Sequence, residues 1–177
     1  NAYETSKTVL TGLGHKLIEV DFSELSSGIC SYYVIAPAEC SSNLSRFDGV
    51  KYGYRSEGEK DIANLYMNTR SDGFGDEVKK RILIGTHVLS AGFYDAYYLQ
   101  AQKVRRMIKV KFEDFFRDVD LIFMPTTLDQ AFEKNRKSDD PNRMYKEDLL
   151  TIPANLAGLP AISFPNGFKN SLPIGGQ

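Results

Sequence analysis

Apolar residues recur every three or four positions along most of the chain, a spacing that places them on one face of a helix. This pattern predicts helices at residues 1–13, 29–44, 59–70, 76–90, 94–116 and 146–156. A proline inside a helix removes a backbone hydrogen bond and crowds the preceding turn. We therefore expect Pro37 to kink or divide the second helix and Pro153 to interrupt the last one.

Short continuous apolar runs predict strands at residues 16–20, 120–124 and 161–164, and a further strand begins at residue 172. Strands that are apolar throughout are typical of sheets that helices cover on both faces. The sequence therefore predicts an α/β fold with a mixed, largely buried central sheet and helices on both sides. We expect one domain whose two ends are cut, because no helix start precedes residue 1 and a strand is only beginning at residue 172.

Two segments between these elements are predicted to be loops. Residues 48–54 are rich in glycine and aromatic residues, and residues 128–144 are polar and charged. Asn43, Arg46 and Asp48 lie where the second helix gives way to the glycine-rich loop. We expect these three side chains to brace the loop by hydrogen bonds.

The composition is that of an ordinary globular protein, and the net charge of −1 gives no overall attraction to nucleic acid or anionic membrane. No apolar run approaches the ~20 residues of a membrane span. Cys30 and Cys40 lack a metal-binding spacing, so we expect two reduced, packed thiols. His15 and His87 are isolated in sequence and are interpreted as core or surface imidazoles rather than as ligands or bases.

The sequence does not contain a recognisable catalytic set. A serine nucleophile needs an adjacent base and donors that hold the oxyanion. The serine pairs at residues 26–27 and 41–42 lie in neither a G-x-S-x-G elbow nor an S-x-x-K motif. We therefore interpret Ser41 and Ser42 as small residues that let a helix pack closely. The glycines at residues 73–75 lack the lysine of a phosphate-binding loop.

Five segments resemble the amidase signature family: APAECSSNLSRFDGVKYGYR, TRSDGFGDEVKKRILIGTHVLSAGFYDAYYLQAQKVRRMIK, DLIFMPTT, DDPNRMYKEDLLTIPANLAGLPAISFP and LPIGGQ. Within it they look most like the C-terminal half of the A subunits of glutamyl-tRNA(Gln) amidotransferases. LPIGGQ departs from the family pattern, which has a leucine between glycine and glutamine. The family's Ser–cis-Ser–Lys triad lies upstream of these segments. The resemblance thus implies that residues 1–177 are the C-terminal portion of one amidase-signature domain, poorly stable and inactive alone.

The resemblance also implies a substrate site. Matching motif positions, Arg81 would hold the α-carboxylate of glutamine, Asp148 would hold its α-ammonium, and Tyr32 would line the same pocket. The residues by themselves leave other roles open: a surface helix position for Arg81, a helix-start charge for Asp148 and a core position for Tyr32. Residues 126–127 follow a strand end, where α/β folds place ligands.

The implied parent enzyme would hydrolyse glutamine and pass ammonia to a partner protein that amidates misacylated tRNA. No cofactor is expected in this chain, and ATP and Mg²⁺ would be used by the partner. The B and C subunits of the amidotransferase would be the partners, with tRNA bound mainly by the B subunit, in a bacterial cytoplasm or an organelle matrix. A hydrolase of another amide, or a non-catalytic interaction domain, are the alternatives.

Overall fold

The computed structural model describes residues 2–58, 60–134 and 146–177. In chain order its elements are α1 (Ala2–Gly12), a 3₁₀-helix (Ser23–Ser27), α2 (Gly28–Leu44), α3 (Ile62–Gly73), α4 (Asp76–Val88), a π-helical turn (Tyr94–Tyr98), α5 (Leu99–Phe115), α6 (Ile152–Ala157), β1 (Phe164–Lys169) and β2 (Leu172–Gly176). The chain divides into two compact units. The first unit comprises Asn1–Cys30 and Lys103–Gln177, and the second comprises Ser31–Gln102. The expectation of a single domain stays a prediction.

The predicted helices are present, with two corrections at prolines. The predicted division of α2 at Pro37 is wrong, because α2 is one helix from residue 28 to 44. Pro37 is fully buried, and so are Ile35 and Ala38 beside it, so packing offsets the lost backbone hydrogen bond. Pro153 lies in the first turn of α6, where a backbone N–H has no partner within the helix. It therefore helps to begin this helix and does not break it, and residues 148–151 form a turn.

Each unit has its own apolar core. In the first unit, Ile108 and Phe112 of α5 are buried together with Ile152 and Leu156 of α6. A Cβ placed on Gly28 would lie 3.3–3.6 Å from side-chain atoms of Ile108, Ile152 and Leu156, so the start of α2 fits closely against this core. In the second unit the buried apolar residues are Ile35, Ala38, Leu65, Val88 and Ala101.

Strands β1 and β2 form an antiparallel hairpin in which Lys169 pairs with Leu172. The two residues between them, Asn170 and Ser171, have φ values of 52° and 64°. A two-residue turn with both φ angles positive matches the right-handed twist of the strands it joins. A bulge interrupts the register between residues 165 and 167.

The predicted central sheet is not formed by the described residues, where the two-stranded hairpin is the one sheet. Residues 16–20, 120–124 and 161–163 contain no regular strand, although residue 124 exchanges backbone hydrogen bonds of 2.9 and 2.8 Å with Gln177. Leu121 and Ile162 are 86% and 76% exposed, which corrects the expectation of buried strands. Apolar segments become sheet strands only when other strands pair with their backbones. The strand expected from residue 172 is confirmed, and so is the combination of helices with a sheet.

The two predicted loops have different outcomes. Residues 48–54 lack regular secondary structure, as predicted, and residues 128–134 do so as well. The remainder of the second loop, residues 135–144, lies outside the described residues. Both cysteines are free thiols as expected, but Cys30 is exposed, so its predicted packing is wrong. Among the helices that the structure describes, none combines the length and the apolar character needed to cross a membrane.

Candidate functional site

Helices α2 and α4 touch backbone to backbone within the second unit. A Cβ placed on Gly85 would lie 1.9 Å from the carbonyl oxygen of Pro37 and 2.7 Å from Cβ of Ser41. Only glycine permits so close an approach. One position further along α4, the Thr86 and Ser41 hydroxyls are 2.9 Å apart and share a hydrogen bond. These contacts fix the spacing of the two helices and confirm that Ser41 serves their close packing.

The predicted residues Tyr32 and Arg81 meet about one turn before this crossing, one on each helix. The Arg81 guanidinium donates a hydrogen bond to the Tyr32 hydroxyl, and its Nε donates to Oε1 of Glu77 at 3.2 Å. Tyr32 is half-buried and the Arg81 side chain is 34% exposed. The hydrogen bond with Tyr32, and secondarily that with Glu77, raises the pKa of Arg81 above its ordinary value. The cation is therefore held at two points and remains charged.

This arrangement suits the binding of an anion. A guanidinium has five N–H donors, so the contacts with Tyr32 and Glu77 do not exhaust it. Its planar fork matches the two oxygens of a carboxylate. Part of the Arg81 side chain is accessible from solvent, so a small carboxylate can reach it. The pair can thus bind a carboxylate, while nothing in its chemistry cleaves a bond.

Asp148, the third predicted residue, belongs to the first unit and is exposed. It stands in the turn that leads into α6, where its carbonyl oxygen accepts hydrogen bonds from the backbone N–H groups of Thr151 at 3.2 Å and Ile152 at 3.0 Å. The structure thus brings Tyr32 and Arg81 together and places Asp148 before a helix. The substrate-binding roles of all three stay predictions.

The glycine-rich loop is braced by residues that sequence reasoning found only in part. Oδ1 of Asp48 accepts the backbone N–H groups of Val50 at 2.8 Å and Lys51 at 3.0 Å, which confirms its predicted role. The hydrogen bond from Lys51, followed by that from Val50, lowers the pKa of Asp48 below its ordinary value. Asn43 instead donates to Glu39 at 3.4 Å, one turn back in α2, so its expected role in the loop is wrong.

Two bracing residues of α3 were missed. Nη1 of Arg70 donates to the carbonyl oxygens of Leu44 at 2.9 Å and Phe47 at 3.0 Å, and so caps the C-terminal end of α2. Thr69 is buried, and its Oγ1 accepts the backbone N–H of Ser56 at 3.0 Å. Both contacts join positions 13 to 26 residues apart, and no local sequence signal marks them.

The threonines at residues 126–127 use their hydroxyls in local hydrogen bonds. Oγ1 of Thr126 lies 3.0 Å from Oγ of Ser163, and Oγ1 of Thr127 donates to the carbonyl of Asp129 at 2.8 Å. His87 packs its ring 4.1 Å from that of Phe93 and is a surface imidazole, as expected.

The sequence profile of the amidase family matches the chain over residues 1–177. A glutamyl-tRNA(Gln) amidotransferase A subunit from Hahella chejuensis is 56% identical over 176 residues, which are 99% of this chain and 36% of that protein. The protein of the same name from Coxiella burnetii is 54% identical over 174 residues, or 98% of this chain and 36% of that one.

A solved structure shows the same similarity. The crystal structure of a glutamyl-tRNA(Gln) amidotransferase A subunit from Thermotoga maritima is 39% identical and matches with a TM-score of 0.68. The match covers 99% of this chain and 33% of that one. The chain therefore spans about a third of the length of the curated relatives it matches.

Proposed function

The chain belongs to the amidase family, and on that premise we propose that it is the glutamine-binding part of the A subunit of a glutamyl-tRNA(Gln) amidotransferase. The observation that carries the proposal is the Arg81 guanidinium, which Tyr32 on α2 and Glu77 on α4 hold beside the helix crossing. The names of the most similar relatives support the choice of substrate.

In the proposed reaction, water cleaves the side-chain amide of glutamine and yields glutamate and ammonia. Arg81 would bind the α-carboxylate through a charge-assisted, bidentate contact, and Tyr32 would keep the guanidinium in place. Binding the remote end of the substrate fixes the position of the amide at the other end. Asp148 stays the sequence-based candidate for the α-ammonium.

The catalytic nucleophile is proposed to lie outside this chain, since the family's Ser–cis-Ser–Lys triad matches none of its segments. The 177-residue chain alone would then release no ammonia from glutamine. In the complete enzyme, ammonia would pass to the B subunit, which amidates glutamyl-tRNA(Gln) with ATP and Mg²⁺, and the C subunit would complete a heterotrimer. The chain itself would need no cofactor. A bacterial cytoplasm is the proposed location, given the bacterial relatives.

The test compares glutamine-driven with ammonia-driven amidation of tRNA by the complete enzyme that carries this chain. Arg81→Ala removes a charge-assisted hydrogen-bond pair worth about 1.5–3 kcal/mol, so kcat/KM for glutamine should fall roughly 10- to 150-fold. Asp148→Asn keeps the size but loses the charge, and it should also weaken the use of glutamine. Ammonia bypasses glutamine binding, so ammonia-driven amidation should survive both changes.

Glu113→Gln is a suitable control, because its ion pair with Lys109 at 3.8 Å lies on α5. It should leave both activities unchanged. Equal loss of the glutamine- and ammonia-driven reactions in Arg81→Ala would make Arg81 a structural residue and refute the proposed site. Hydrolysis of simple amides in preference to glutamine would instead favour the alternative of another amide substrate.

A further inference from the structure

Arg81 has two neighbours that come from different helices. Glu77 stands one turn earlier on α4, and its Oε1 accepts the Nε hydrogen of Arg81 at 3.2 Å. Tyr32 approaches from α2 and accepts another hydrogen of the guanidinium. A glutamate four residues before an arginine is the favourable order for a side-chain pair on a helix. The guanidinium is thus oriented before any ligand arrives.

The atom that Glu77 uses decides which side of the guanidinium remains for a ligand. A carboxylate can bind a guanidinium in two bidentate ways, through Nε and one Nη or through both Nη atoms. Because Glu77 occupies Nε, a ligand carboxylate meets the terminal nitrogens. A change at residue 77 therefore alters the direction in which Arg81 offers its hydrogen bonds.

We propose that Glu77 is a positioning residue, which holds Nε of Arg81 so that the terminal nitrogens face the α-carboxylate of glutamine. This inference rests on the proposed function. Glu77 carries the same charge as the ligand carboxylate, so its charge opposes binding and its contribution is the hydrogen bond. Glutamine at this position would keep an acceptor oxygen for Nε, whereas alanine would not.

These two variants separate orientation from charge in the complete enzyme. A solvent-exposed i,i+4 pair is weak, and Glu77 is 61% exposed, so Glu77→Ala should raise KM for glutamine about twofold. The value of kcat and the ammonia-driven rate should not change. Glu77→Gln should restore KM to the wild-type value or slightly below it.

Asp76→Ala provides the matched control. Asp76 is the neighbouring acidic residue of α4, and it pairs with Lys79 at 3.1 Å instead of with Arg81. Its removal takes away a similar ion pair from the same helical turn and should leave KM for glutamine unchanged. Combining Glu77→Ala with Arg81→Ala should have no further effect beyond Arg81→Ala alone, because the residue being positioned is gone.

Three results would overturn the inference: a wild-type KM in Glu77→Ala, an equal rise in Glu77→Gln, or an equal effect of Asp76→Ala. If Arg81→Ala lowers glutamine use while the Glu77 variants behave as wild type, the proposed function stands and only the role of Glu77 fails. If Arg81→Ala also leaves glutamine use intact, the proposed site itself is wrong.

Discussion

Gly85→Ala tests the helix crossing on which the candidate site depends. The added Cβ would lie 1.9 Å from the carbonyl oxygen of Pro37 and 2.5 Å from its carbonyl carbon. Both are backbone atoms of α2, which cannot rotate away as a flexible side chain could. The helices must therefore move apart, by roughly 1 Å or more if ordinary contact distances of about 3.5 Å are to be restored.

The expected loss of stability has three parts. Overpacking of this kind costs about 1–3 kcal/mol, and the broken hydrogen bond between Ser41 and Thr86 adds about 1 kcal/mol. Alanine is the better helix former and returns about 1 kcal/mol. The net destabilisation of this region is then about 2 kcal/mol. The same displacement separates Tyr32 from Arg81, so KM for glutamine should rise as well.

Hydrogen exchange measured by mass spectrometry on the complete protein reports this local stability. Peptides from α2 and α4 should exchange about 30-fold faster in Gly85→Ala, since ~1.4 kcal/mol corresponds to a factor of ten. The control is Gly12→Ala, because no atom lies within 4 Å of a Cβ at that position. Wild-type exchange in Gly85→Ala would refute the argument that the backbone contact at Pro37 holds the helices together.

Two further predictions concern the glycine-rich loop. Arg70→Ala removes the donor that serves the carbonyls of Leu44 and Phe47, so limited proteolysis within residues 45–58 should become faster, and Arg70→Lys should not fully restore resistance because it lacks the planar fork. For Asp48, the folded pKa lies below the unfolded one, so its contribution to stability is fully present above the unfolded pKa and is lost as pH falls through the folded pKa. An NMR titration should give a carboxyl midpoint below the ordinary ~3.9 for aspartate, and a midpoint at or above it would contradict the loop geometry.

The helices could be predicted from sequence because their signals are local. Apolar periodicity located α1 to α5, and Gly158, with a φ of 74°, ends α6 where the sequence suggested a stop. The strands could not be predicted equally well, because an apolar run such as residues 120–124 forms a strand only when partners pair with it. Asn170 and Ser171 carry the hairpin turn, and their positive φ angles were not anticipated.

The candidate site was accessible from sequence only through motif resemblance. That resemblance selected Tyr32 and Arg81, which the structure joins by a hydrogen bond although 49 positions separate them (81 minus 32). The cause of their meeting is the contact between Gly85 and Pro37, and neither residue announces this partner in the sequence. Glu77 was overlooked because an acidic residue in the first turn of a helix already has a simple explanation in the helix dipole.

The most direct test of the central claim is a crystal structure of the complete enzyme with glutamine bound. We predict that the two α-carboxylate oxygens lie within about 2.7–2.9 Å of the guanidinium nitrogens of Arg81, with Tyr32 and Glu77 still in contact with that side chain. A glutamine whose carboxylate binds elsewhere, while Arg81 contacts only Tyr32 and Glu77, would contradict the proposed function of this chain.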